Sequence, residues 1–454
     1  MSKYNLSIEP NDDNIKKAII NDALKNNQWI CDFLTLLLDI DESIVALSGN
    51  WGSGKTFIAK EMQEIINVKF ENQFGRDIDS YINKNTIFKN VSATSCYSIY
   101  YNAWEYDNDN NPMASFLYYL VKMLNKKISS VRFIQVLESF ITNVIEKLSD
   151  GWIKISKSNG KSNLNDVLSS VLTIDYIYDE IGKLLQELRS ERCNKLIIFI
   201  DELDRCRPTY ALKVIEMLNH YFRRDGILVV CMIDFQQLSN VIKLNYGTKT
   251  NANLYLDKIF DFRFSIPEVN NIETYLYYKI GSEYDEKYFF DAICAEIIKE
   301  KKLTLRNIDR MISYIKPLFK KYKNDADWDF PVRGLLLYFW APYFLSASLF
   351  DNDEIDRLFA YNFDNVISFA QRKVVSERIN QVYSMALEDK DETKDVIYCL
   401  KADLKIIINH MKDKEARLEN MYIGKPYSDV KKAVEELNLL SMFNERIRYE
   451  KNGK

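Results

Sequence analysis

Ten residues, Ser48-Gly49-Asn50-Trp51-Gly52-Ser53-Gly54-Lys55-Thr56-Phe57, restrict what this chain can become more than any other stretch. From Gly49 to Thr56 they spell G-x-x-x-x-G-K-[ST], the phosphate-binding P-loop. Glycines at this spacing let the backbone turn through φ > 0 and aim successive N–H groups at one anion. The flanks agree. Ile44–Leu47 is a short apolar run that reads as a buried parallel strand, and Thr56–Met62 reads as the start of a helix. The helix N-terminus adds partial positive charge, and Lys55 supplies a full one to the β- and γ-phosphates of a nucleotide. The Thr56 hydroxyl is then placed to ligate Mg2+. Gly49 through Phe57 is therefore the expected nucleotide cradle.

A second motif lies downstream. Leu196-Ile197-Ile198-Phe199-Ile200 is a continuous apolar strand ending in two adjacent carboxylates, Asp201 and Glu202, the Walker B pattern. Asp201 is expected to hold Mg2+ through water, and Glu202 to orient or deprotonate a water attacking the γ-phosphate. With at least one strand between the two motifs, the order fits the catalytic-glutamate branch of P-loop NTPases. Tyr97–Glu105 reads as another strand whose end could bring Asn102, Trp104 and Glu105 towards the phosphates; Trp104 could equally pack the sheet edge. Ile227–Ile233 is a further buried strand with Asp234 at its tip. Asp234 has two readings, a polar sensor of the γ-phosphate or the N-cap of the helix from Phe235. Both can hold. A cation is still needed for the γ-phosphate, and Arg306 and Arg310 fall on one face of a later helix at i, i+4, with Lys258 and Arg263 weaker candidates.

These elements give an α/β fold: a three-layer P-loop NTPase with a parallel sheet. The expected organisation is a helical lead-in over 1–40, a nucleotide core over 41–267 with a soluble helical insertion at 117–193, a helical lid over 268–328, and an all-α region over 329–454. Within the insertion, 157–163 reads as a polar linker. Gly334–Phe350 is uncharged for about 17 residues, near the lower limit for a bilayer span. Pro342 interrupts it and no basic cluster flanks it, so a buried helical pair is expected and membrane contact is not.

Composition removes several function classes. Sixty-one basic against 65 acidic residues give a net charge of −4, so no global field or basic stripe favours nucleic acid. Seven cysteines without a C-x-x-C pair, and two histidines, His220 and His410, do not make a zinc site by usual spacing. Met1-Ser2-Lys3-Tyr4-Asn5 leads into polar sequence without a secretory pattern, so a reduced, cytoplasmic setting is expected. No N-K-x-D guanine-reading motif appears, which favours ATP over GTP.

Four stretches together resemble KAP-family P-loop NTPases: Gly49–Thr56, Tyr101-Asn102-Ala103-Trp104, Ile200–Cys206 (Walker B followed by L-D-R-C), and Tyr255–Phe260, in that order. The resemblance covers roughly residues 5–318 and implies a core similar to AAA+ and STAND ATPases that uses ATP with Mg2+. It also implies kinship with bacterial proteins implicated in excluding phage and with animal membrane scaffolds. Two features depart from the family pattern. Many members carry transmembrane helices between the Walker motifs, whereas the insertion here looks soluble. The second Walker B carboxylate, commonly Asp, is Glu202, which favours hydrolysis. The expected activity is slow ATP hydrolysis driving a conformational switch or an assembly; the alternative is a nucleotide-dependent scaffold with negligible turnover. High Tyr and Phe content (29 and 25) and a helical C-terminal region suggest protein contacts, to a homo-oligomer or a genetically linked partner.

Overall fold

Five strands form one sheet, and its inner members are apolar along nearly their whole length because both faces are covered there, whereas the edge strand Phe262–Ser265 is largely exposed. The strands are β1 (Ser43–Ser48), β2 (Cys96–Asn102), β3 (Lys195–Asp201), β4 (Ile227–Ile233) and β5 (Phe262–Ser265). A computed structural model describes residues 9–22, 24–71, 76–109, 111–128, 130–140, 164–267, 272, 275–276, 287–322, 339–387 and 396–412. The expected linker at 157–163 lies outside them. Residues 9–268 form one compact unit, and the chain from Val269 onward belongs to a second.

In the first unit the sheet order is β2-β3-β4-β1-β5, and every pairing is parallel. Parallel neighbours need crossovers, and helices supply them. The helices are α1 (Asp12–Asn21), α2 (Asn27–Asp39), α3 (Lys55–Glu71), α4 (Asp77–Lys84), α5 (Pro112–Asn125), α6 (Leu164–Ser190), α7 (Pro208–Tyr221), α8 (Phe235–Tyr246) and α9 (Ala252–Asp257). Side chains alternate along each strand, so β1 to β4 feed two cores. Val45, Leu47, Ile197, Phe199, Leu228 and Val230 pack with α1 to α4. Ile44, Ala46, Ile198, Ile200, Val229 and Cys231 pack with α5 to α9. The fold is thus the expected three-layer α/β P-loop architecture.

The lead-in is two helices, and the residues between them say why. Asp22 ends α1 in the left-handed region at φ 45°, and Lys25 follows at φ 50°. Buried Asn27 then donates its side-chain amide to the Ile19 carbonyl at 2.8 Å, which ties α2 back onto α1.

The second unit is helical in its described residues: α10 (Lys287–Glu300), α11 (Leu305–Tyr322), α12 (Ala341–Phe350), α13 (Asn352–Phe359), α14 (Asp364–Ala370), α15 (Lys373–Leu387) and α16 (Val396–Lys412). Phe339 to Ala347, most of the uncharged run read from the sequence, is buried; 334–338 lie outside the described residues. The buried carboxylate Glu354 accepts from the Tyr343 hydroxyl at 2.7 Å and the Asn365 amide at 2.6 Å, so its polarity is satisfied internally. Among the described residues, no helix is long and apolar enough to cross a membrane.

Candidate nucleotide site

Strand register brings the motifs to one edge. Ser48 pairs with Ile233, Asp201 with Met232, and Asn102 with Asp201. The carboxyl ends of β1, β4, β3 and β2 therefore finish side by side, with the P-loop, Asp234, Glu202 and Asn102 just beyond them. In open parallel sheets this is where ligands bind. β4 stands between the P-loop strand and the Walker B strand.

The loop's glycines are dictated by its path. A Cβ on Gly49 would come within 2.5 Å of Ser53 Oγ and 3.2 Å of Ile266 Cδ1. Gly52 and Gly54 lie at φ 83° and 93°, where other residues are strained. Gly49 N–H donates to the Ile233 carbonyl at 3.0 Å, anchoring the loop to β4. Lys55 and Thr56 open α3, so the amides of its first turn lack intrahelical acceptors and face the loop. Phe57 packs its ring on the α1–α4 core, so only its backbone amide is left for a ligand.

The charges are buried and crowded. Lys55 is 8% exposed, and its Nζ donates to the carbonyls of Gly49 (2.7 Å) and Asn50 (3.2 Å). Burial lowers its pKa, while Asp204, Asp201, Asp234 and Glu202 pull it back up. Asp201 is 1% exposed; its Oδ2 accepts from the Thr56 hydroxyl at 2.6 Å and from the Tyr100 hydroxyl at 2.9 Å. Burial raises the Asp201 pKa, and those two hydrogen bonds oppose it. Glu202 is pushed up to about 7, first by burial and then by the charge of Asp201, with Arg205 opposing.

The structure gives the other expected residues definite partners or positions. Glu202, expected to orient or deprotonate a water, ion-pairs with Arg205. Trp104 is about half exposed, with the Arg205 guanidinium over its ring at 5.9 Å from the centroid. Asn102 caps the Trp104 amide at 3.1 Å and donates to Glu105 at 2.9 Å. Asp234 is the N-cap of α8, accepting from Gln236 N and Gln237 N at 3.1 and 3.2 Å, and its charge also reaches Lys55. Arg263 pairs with Asp257 at 2.7 Å. Arg306 and Arg310 are exposed on α11 of the second unit; the constellation above comes from the first unit alone.

Tyr100 was missed. Its strand partner is Phe199, two residues before Asp201, so the diagonal contact to Asp201 follows from register once β2 is paired with β3. A cavity of about 450 Å3 lies at the opposite, amino-terminal ends of the strands, lined by Glu42, Cys96, Lys195 and Gly226 among others. Lys195 is committed there to the carbonyls ending α2, including Leu38 at 2.8 Å.

The donor set fits a nucleotide with a divalent ion. The loop offers converging amides, a buried cation held only by carbonyls, and a buried Ser53 hydroxyl without a hydrogen-bond partner. Among the described residues no three His, Cys, Asp or Glu side chains gather as a metal cluster. A divalent ion here would take Thr56 and Asp201 and complete its shell with phosphate oxygens and water, as Mg2+ does. Sheet order, loop and carboxylates define a P-loop NTPase domain. The KAP family P-loop domain matches residues 20–318, about two-thirds of the chain, and the chain belongs to that family. Comparison with curated proteins finds no match.

Proposed function

We propose that the chain binds Mg2+-ATP and hydrolyses it slowly, using the cycle as a conformational switch or assembly driver. The observation that carries this reading is the 2.6 Å hydrogen bond from Thr56 to Asp201. It joins two motifs 145 residues apart across β4, which supports reading them as a phosphate cradle beside a metal-binding carboxylate.

Each residue then has a task. Lys55 leaves the Gly49 and Asn50 carbonyls to neutralise phosphate, and the first-turn amides of α3 orient it. Thr56 and Asp201 hold the Mg2+, which shields phosphate charge, and Tyr100 fixes the carboxylate that binds it. Glu202 takes the proton from the attacking water. Charge developing on the γ-phosphate calls for a further cation. Arg306 or Arg310, or an arginine from a second copy or a genetically linked partner, is proposed to supply it.

Phosphate release from ATP by the full-length chain tests the reading. Release is expected to be slow, to require Mg2+ and to stop with EDTA. Release at background rate with either ATP or GTP sinks the enzymatic reading and leaves the nucleotide-dependent scaffold. On family resemblance alone we also propose phage exclusion as the setting; equal plaque counts on cells with and without the intact chain would exclude it for the phages tried.

A further inference from the structure

A second line of contacts runs from the loop to Glu202 without passing through Asp201. Trp51, the third residue of the P-loop and 46% exposed, donates its indole N–H to Asp204 Oδ2 at 2.5 Å. Asp204 is 6% exposed, and its Oδ1 has no hydrogen-bond partner. The next residue, Arg205, is the one that ion-pairs Glu202 and lies against Trp104. Asp204 and Arg205 share one short 3-10 turn, Leu203–Arg205, which springs from Glu202 at φ 61°, ψ 20°. A glutamate in that left-handed region is disfavoured and persists only where its surroundings hold it.

We propose that Arg205 is a latch on Glu202, a positioning residue that nucleotide arriving at the P-loop opens through Trp51 and Asp204. This deepens the ATP-binding reading and rests on it. Lys55 is bound to the carbonyls of Gly49 and Asn50, the two residues before Trp51. When its ammonium turns to phosphate those carbonyls are released, and the backbone carrying Trp51 is free to shift. The indole pulls on Asp204, whose neighbour is the latch. A guanidinium bonded to a carboxylate competes with water for it, so a latched Glu202 is a poor base. Opening the latch draws on the free energy of binding ATP.

That coupling predicts an effect opposite to simple electrostatics. Removing a cation beside an ATP site ordinarily weakens binding of a polyanion. Removing a latch that binding must open strengthens it. Calorimetric titration of the full-length chain with Mg2+-ATP is therefore decisive. Arg205→Met is expected to lower Kd by about threefold to fivefold, the scale of a partly exposed ion pair. Arg205→Lys, which retains the charge, is expected to stay near the parent. In a Glu202→Gln background, Arg205→Met should add nothing, since the ion pair is already gone. Unchanged or weaker binding by Arg205→Met overturns the latch. A second reading avoids any folding defect in that variant. ATP should change the tryptophan emission of the parent, and Trp51→Phe should abolish the change; an unaltered parent spectrum overturns the link through Trp51. A parent that binds no ATP overturns the nucleotide reading as well, whereas a parent that binds, with Arg205→Met no tighter, overturns the latch alone.

Discussion

Lys55→Ala is expected to weaken Mg2+-ATP binding by about 100-fold or more while the chain stays folded. Lys55 is the buried cation of the cradle, and the charges felt at its ammonium are four carboxylates: Asp204, Asp201, Asp234 and Glu202. Without it those carboxylates face an incoming polyanion with no neutralising partner in the loop. Truncating one member of a buried, hydrogen-bonded charge pair costs about 2–5 kcal/mol, and each ~1.4 kcal/mol is tenfold in affinity. The alanine also frees the Gly49 and Asn50 carbonyls, which water can satisfy at the open mouth of the site. Titration with ATP, beside a thermal melt to confirm folding, checks the result. Parent-like affinity in a folded Lys55→Ala chain would falsify the P-loop as the nucleotide site.

What could be read from the sequence was whatever depends on local pattern plus one rule of sheet packing. β1, β3 and β4 are legible as uninterrupted apolar runs because both their faces are buried. The P-loop is legible because its backbone path calls for glycine, as Gly52 and Gly54 at φ 83° and 93° show. Asp234 was legible in its capping role for the same local reason, since an N-cap needs only the next three residues. The contacts that were not legible depend on backbone torsions and strand neighbours. Arg205 reaches Glu202 because a 3-10 turn places i and i+3 on one side, and that turn begins at a positive φ on a glutamate, which no residue-type signal announces. Tyr100 meets Asp201 only because β2 lies beside β3 in one particular register. Trp51 and Asp204 are 153 positions apart, and nothing in either motif foretells their bond.

Glu202→Gln is expected to lower turnover by about 100-fold or more while ATP stays bound, the largest kinetic effect of any substitution here. General-base assistance contributes about 10²–10⁴ to a rate, and glutamine keeps the size and hydrogen-bonding of the side chain without its basicity. Glu202 suits that work because burial and the adjacent Asp201 charge disfavour its ionised form, which makes it a stronger base than an exposed glutamate. Single-turnover hydrolysis read alongside binding separates the two effects. Parent-rate hydrolysis by Glu202→Gln would show that another residue positions the water. The trapped state then permits a test of assembly, since it holds ATP long enough to be weighed. A usable switch needs ATP to favour the assembled form by about 1–3 kcal/mol, fivefold to 150-fold in the association constant. Solution mass of the Glu202→Gln chain is therefore expected to rise when ATP is added, alone or with its genetic neighbour. A strict monomer under every one of these conditions would remove the partner's arginine from the argument and leave Arg306 or Arg310 to serve the γ-phosphate within a single chain.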